Sequence, residues 1–405
     1  MSTWDDFNKL TTLSVVFPDQ ASAKGATIFG NGRNQVPVLV KMKATDKNGV
    51  ALDINGAWLA AAVSLVSYSS GTPLSRDGGA STIEHWNVSD RPSEFTSPYS
   101  YNTQTQEVTL DDAGVSTLTL YVSAADIQAV SNIDIAVSLT VPGVGEFNTT
   151  AEGTDTKNGP GGKSGAVFKS PSYVHVSAIL PVDYSDITLL NLTQTTWDTI
   201  GHQDYIVHDW KWDGVYYDKP NGAELARSTV TVTPKSSEFR FTAVSSDFTR
   251  YSAAEAVTSP PTWHHEEENG FDTYRNVTDK DTFIAVGGFG KSVDNPNYDA
   301  YLWYGPGENI EVSGHFHMID SEWQYRAEIS ISDDHSAAPV STEVIFSGYR
   351  IRVPTGDNTS HNGWDDVYGP ISFTIMDNYG NTGTFKIGFF GNQSSYLTVG
   401  DVRLE

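Results

Sequence analysis

The sequence predicts an all-β protein built from tandem β-sandwich domains, and three observations predict it. Only 19% of the 405 residues are charged and 12% are aromatic, and the polar remainder is largely Ser, Thr, Asn and Gly. That mix suits pleated, half-buried strands and long turns better than helices. Apolar and polar residues alternate with a period of two through most of the chain. Turn signals recur at intervals of about 10 residues, most densely after residue 280, which is sandwich or jelly-roll spacing.

The first element is the hairpin in "QVPVLVKMKATDKNGVALDI" (35–54). Val36, Val38, Val40 and Met42 alternate against Pro37, Leu39, Lys41 and Lys43, and "DKNG" supplies the turn. "NGAWLAAAVSLVSYSS" (55–70) is the best helix candidate, although its Val and Ser content also fits a buried strand. "STLTLYV" (116–122) and "IDIAVSLTV" (133–141) are strands, and "SAADIQAVS" between them has the length for one helical turn. "AEGTDTKNGPGGKSGA" (151–166) has no apolar anchor and reads as a linker or long exposed loop. "YVHVSAIL" (173–180), "DITLLNLT" (186–193), "YIVHDWKWDGVYYD" (205–218) and "STVTVTP" (228–234) follow as strands. "TSPPTWHHEEENG" (258–270) is a second breakpoint. The expected organisation is a sandwich over 1–150, a linker over 151–168, a middle β region over 169–235 and a C-terminal domain over 236–405. At about 150 residues per domain, this length supports two or three cores.

Two resemblances sharpen the fold expectation. "GNGRNQVPVLVKMKATDKNGVAL" (30–52) and "TLDDAGVSTLTLYVSAAD" (109–126) resemble bacterial immunoglobulin-like domains of the invasin type, with a long intervening stretch over 55–108. "GPGENIEVSGHFHMID" and "YGNTGTFKIGFFGNQSSYLTVGDVRLE", ending in Asp401, Val402 and Leu404, are similar to strands of the galactose-binding-like jelly roll of carbohydrate-binding modules. The resemblances imply an Ig-like N-terminal sandwich and a jelly-roll C-terminal domain. Modules of both kinds serve as spacers, adhesive units or binding domains.

Composition also narrows function. A net charge of −25 repels phosphate backbones and anionic lipid, so no nucleic-acid partner is expected. With no cysteine, disulfides, thiolate catalysis and zinc–thiolate sites are excluded. No apolar run approaches the ~20 residues that span a bilayer. The N-terminus lacks the basic and apolar regions of a secretory signal. The expectation is an extracellular or particle-associated protein, cytoplasmic before release, which would leave the cell by a signal-free route, by lysis or on a particle. Asp-rich loops suit structural Ca²⁺, although no EF-hand or repeat-type calcium motif appears, and no other cofactor is expected.

The most informative stretch is "VSGHFHMIDSEWQYRAEIS" (312–330). Alternation puts Val312, Gly314, Phe316 and Met318 on one side and His315 and His317 on the other, so the histidines face outward. His-x-His followed by Glu322, with "GYRIRVPTG" and His361 downstream, is similar to the metal motif of cupins. His315, His317, Glu322 and His361 are therefore the metal candidates, against the alternative of two exposed strand histidines. On the next strand Gln324, Arg326 and Glu328 face outward too. With His315 and His317 they form a polar sheet face near Trp303, Tyr304, Trp364 and Tyr368, either a sugar cleft or a solvated face with cross-strand ion pairs. Trp210 and Trp212 form either a stacking platform for a ligand or the core ladder of a hairpin. His264 and His265 read as part of a solvated loop.

No serine-nucleophile elbow, phosphate loop or dinucleotide fingerprint is present. The leading expectation is a non-enzymatic glycan-binding or adhesion protein that engages a glycan or host-surface protein, displayed on a phage-like or other secreted particle, with a homo-oligomer as a further expected partner. The alternatives are a structural or assembly protein, a β-rich toxin component, and a cupin-like or glycan-cleaving enzyme.

Overall fold

A computed structural model describes residues 3–18, 20, 23–76, 83–102, 114–151, 173–196, 198–209, 216–246, 270–276, 284–291, 298–304, 310–319, 324–333, 343–353, 371–389, 397–400 and 402–403. Over 200–227 and 270–333 the description is of backbone and strand register. The protein is all-β, with several sheets and few helices. Among the described residues no helix is long and apolar enough to cross a membrane. The chain divides into two compact units, Met1–Val182 with Tyr379–Asn381, and Asp183–Asn378 with Thr382–Glu405.

In the first unit the strands are β1 (Lys9–Val16), β2 (Gly25–Phe29), β3 (Gln35–Thr45), β4 (Val63–Ser67), β5 (Ser75–Arg76), β6 (Trp86–Ser89), β7 (Ser100–Asn102), β8 (Ser116–Ala124), β9 (Ser131–Val141), β10 (Gly145–Asn148) and β11 (Val174–Ile179). One short helix, α1 (Gly56–Ala62), precedes β4. One sheet runs β1-β3-β8-β6-β5 and the other β10-β9-β11-β2-β7, with β4 also paired to β9. The two sheets share one core. Val36, Val38, Val40 and Met42 enter it from β3, and Ile133, Ile135, Val137 and Leu139 from β9. Fully burying each such side chain stabilises the fold by about 1.5–3 kcal/mol. This fixes which way β3 and β9 face.

Local chemistry explains the turns. In "DKNG" the Asp46 carboxylate accepts from the backbone N–H of Asn48 and of Val50, each at 2.8 Å. Gly49 takes the left-handed φ of 82° that closes the hairpin. Residues 55–70 satisfy both readings in succession. Asn55 Oδ1 caps α1 by accepting from Ala57 N at 2.8 Å, and the β-branched Val63 then begins β4. The expected helical turn within 123–131 is instead a bend. Asp126 adopts φ 55° there, and Ile127 drops into the core at 5% exposure.

The second unit contains β12 (Leu190–Gln194), β13 (Asp198–Asp209), β14 (Tyr216–Pro234), β15 (Phe241–Ser246), β16 (Gly270–Asn276), β17 (Ile284–Lys291), β18 (Tyr298–Tyr304), β19 (Ile310–Ile319), β20 (Gln324–Asp333), β21 (Val344–Val353), β22 (Ile371–Asp377), β23 (Thr382–Phe389), β24 (Leu397–Val399) and β25 (Val402–Arg403). One sheet runs β16-β19-β20-β13-β14-β21-β18-β17 with β12 against β14, and the other runs β15-β22-β23-β24-β25. The β13–β14 register jumps from Gln203↔Ala223 to Tyr205↔Lys219, so Pro220, Asn221 and Gly222 are looped out of the ladder. Pro has no N–H to donate there, and Asn-Gly favours a turn. The expected linker, from residue 152 to 168, and the breakpoint at 258–269 lie outside the described residues.

Candidate functional site

The residues singled out from sequence fall into three groups. His315 and His317 lie on β19, and Gln324, Arg326 and Glu328 lie on β20. The antiparallel register pairs His315 with Glu328, His317 with Arg326, and Ile319 with Gln324. The neighbouring strands add Asp272 of β16 opposite His315, and His208 of β13 opposite Arg326. Sequence reading missed both, because each comes from a segment remote in the chain. Trp303 lies on β18, paired with Gly348 of β21, away from β19 and β20 in the strand order. Trp210, Trp212, Glu322, Tyr304's following loop, His361, Trp364 and Tyr368 lie outside the described residues, apart from Tyr304 itself, which ends β18. Among the residues whose side chains are described, no group of three or more His, Cys, Asp or Glu comes together as a metal site.

A second constellation, which the sequence did not single out, stands on the outer face of the first unit's second sheet. β11 alternates cleanly. Val174, Val176 and Ala178 are buried, while Tyr173, His175 and Ser177 are not. On β9, Ile133, Ile135 and Val137 point into the core, and Asn132 and Asp134 point out. The antiparallel register sets Asp134 opposite His175 and Asn132 opposite Ser177. Residues directly opposite on one face have Cβ atoms about 5 Å apart, within reach of short polar side chains.

The contacts follow from that register. Asp134 Oδ1 lies 2.7 Å from His175 Nδ1, and Ser177 Oγ lies 3.2 Å from His175 Nε2. Ser177 Oγ donates to Asn132 Oδ1 at 2.7 Å. A carboxylate only accepts, so Nδ1 donates to Asp134. Ser177 Oγ donates to Asn132 Oδ1, and its 3.2 Å contact with His175 Nε2 closes the chain Asp134–His175–Ser177–Asn132.

The order Asp–His–Ser has the look of a nucleophile relay, but its surroundings do not support acyl transfer. Ser177 gives its proton to Asn132, so the imidazole is not positioned to take it. β11 also pairs with β9 on one edge and β2 on the other, which engages its amides in ladders. An oxyanion needs unengaged donors beside the nucleophile.

The face continues on both sides of this network. Across β11 and β2, Ser177 is in register with Thr27, and Thr27 with Ser100 of β7. Asn132, Ser177, Thr27 and Ser100 thus form an uncharged polar row over four strands, none of them buried. Beyond Asp134, the Tyr68 N–H donates to Asp134 O at 2.7 Å, which places Tyr68 beside that residue on the opposite edge of β9. The rings of Tyr68 and Tyr173 meet with centroids 4.3 Å apart and planes tilted by 33°. Ala136, the intervening outward position on β9, has no side chain large enough to keep them apart and is 0% exposed. Tyr173 retains 38% of its surface, so the pair is an aromatic ledge open to solvent.

The pattern Tyr-x-His-x-Ser was legible in "YVHVSAIL" and Asn-x-Asp in "SNIDIAV". Nothing in either segment says that they pair. Comparison with family models, with curated proteins and with solved structures finds no match to this chain.

Proposed function

We propose that this is a non-enzymatic glycan-binding or adhesion protein, and that the outer face formed by β9, β11 and Tyr68 is a sugar-binding surface. One observation carries the reading. A solvent-open tyrosine pair abuts a row of hydroxyl, amide, imidazole and carboxylate groups on a rigid sheet. Sugars offer an apolar C–H face that stacks on aromatic rings and a rim of hydroxyls that both donate and accept. An exposed polar face with no aromatic ledge would be ordinary sheet surface.

On this reading the first unit is an immunoglobulin-like sandwich and the second a jelly roll. The β19–β20 face carrying His315, His317, Gln324, Arg326 and Glu328 is then a second surface to probe. The protein acts outside the cell or on a particle, and its partner is a host-surface glycan or glycoprotein. A glycan array probed with the wild-type protein and with Tyr173→Ala tests the proposal. The expected result is a defined set of ligands lost in the variant. The absence of any ligand at millimolar concentration would overturn it in favour of a structural or assembly role.

A further inference from the structure

Within that glycan-binding reading, on which this step rests, we infer that Asp134 and Asn132 read a vicinal diol on a neutral pyranose. Asp134 spends Oδ1 on His175, and Asn132 spends Oδ1 on Ser177. Asp134 Oδ2 and the Asn132 Nδ2 amino group have no partner among the described residues. The first is an acceptor only and the second a donor only. They stand two residues apart on the same outward side of β9, next to the tyrosine ledge. The Asp134 side chain is 41% exposed, so its second oxygen is open to a ligand.

A vicinal diol is the matching group. One hydroxyl donates to the carboxylate while its neighbour accepts from the amide, and the ring's C–H face lies against Tyr173. His175 and Ser177 act as positioning residues, since each holds the spent half of its partner and so fixes the orientation of the other half. Neutral sugars fit better than acidic ones, because Asp134 would face a sugar carboxylate and the chain as a whole carries −25.

The test uses the full-length protein on an array of neutral glycans. The same array is probed again after mild periodate oxidation and borohydride reduction, which cleaves vicinal diols. The variants are Asp134→Asn, Asn132→Asp and Tyr173→Ala, each checked for native melting. The inference expects binding to fall by about tenfold or more in Asp134→Asn and in Asn132→Asp, as for loss of a hydrogen bond to a charged or committed group. It also expects binding to be lost on periodate-treated spots. Glycans with every vicinal diol blocked by O-methylation should not bind. Binding that disappears in Tyr173→Ala but survives both the Asp134 and Asn132 variants, or survives diol blocking, overturns the diol while leaving the glycan surface standing. Absence of any Tyr173-dependent binding overturns both.

Discussion

The Tyr184 hydroxyl donates to Asp377 Oδ2 at 2.9 Å, joining the first turn of the second unit to the end of β22 across 193 residues of chain. Tyr184 is 1% exposed and Asp377 0%, and the Tyr184 ring meets Phe241 edge-on at 5.2 Å. A hydrogen bond to a buried carboxylate contributes about 1.5–3 kcal/mol, so Tyr184→Phe should destabilise the second unit by about 2 kcal/mol. Denaturant unfolding, followed by Trp fluorescence, measures this. An unchanged midpoint would mean that the bond contributes nothing net.

The same pair sets an alkaline limit. Burial, then the Asp377 charge and the hydrogen bond to it, push the Tyr184 phenol well above its usual value of 10.0. A group whose pKa is raised by folding contributes stability that is fully present below its unfolded value and is lost as pH climbs beyond it. Wild-type stability should therefore fall above about pH 10 more steeply than that of Tyr184→Phe. Parallel curves would assign the alkaline loss to other groups.

An acid limb follows from two turn aspartates. Backbone donation from Val50, with help from Asn48 and Gly49, lowers Asp46 below 3.8. Donation from the Thr188 hydroxyl and amide lowers Asp186 below the same value. The sign is opposite to that of Tyr184. These groups stabilise above their unfolded values, and the contribution disappears as pH falls through the folded ones. Asp186 is exposed and Asp46 only half-buried, so the effect is small. The double variant Asp46→Ala/Asp186→Ala should show a shallower loss of melting temperature below about pH 4 than wild type.

Gly383 is fixed by close approach. A Cβ there would overlap the backbone of Tyr184 and Ser185, where Ser185 Oγ accepts from Thr384 N at 3.0 Å. Backbone cannot rotate away as a side chain tip can. Gly383→Ala should cost about 3 kcal/mol, at the upper end of overpacking. Gly56, at the start of α1, has nothing within 4 Å of the added methyl, so Gly56→Ala should be neutral or stabilising by about 0.5 kcal/mol. Thermal melts of the two variants should move in opposite directions or at least separate by several degrees, at about 2–4 °C per kcal/mol for units of this size.

Exposed aromatics should not be equivalent in binding. Trp58 is 45% exposed, more open than Tyr173, yet it stands on α1 and not on β9 or β11. Tyr173→Ala should abolish glycan capture while Trp58→Ala leaves it intact. Equal loss in both would indicate adhesion through apolar surface in general.

Composition and a period-two alternation were enough to make the chain all-β and, in the first unit, to say which side of strands such as β9 and β11 faces the core. Val36, Val38, Val40 and Met42 enter the core from one side of β3, and Val174 and Val176 alternate with His175 and Ser177, because a pleated strand has a side-chain period of two and water excludes the apolar half. The sequence by itself also determined local turns such as Asp46–Gly49, whose hydrogen bonds close within five residues. The tertiary structure alone decided which strands are neighbours. Alternation tells a residue's side but not its partner, and the cost of closing a loop grows only slowly with its length. β11 therefore lies parallel to β2 and antiparallel to β9 without any local signal for either. The pairing of Asp134 with His175, and of Asn132 with Ser177, follows from that choice. The candidate site was present in the sequence as two ordinary strands, and it became a surface only when the core brought them side by side.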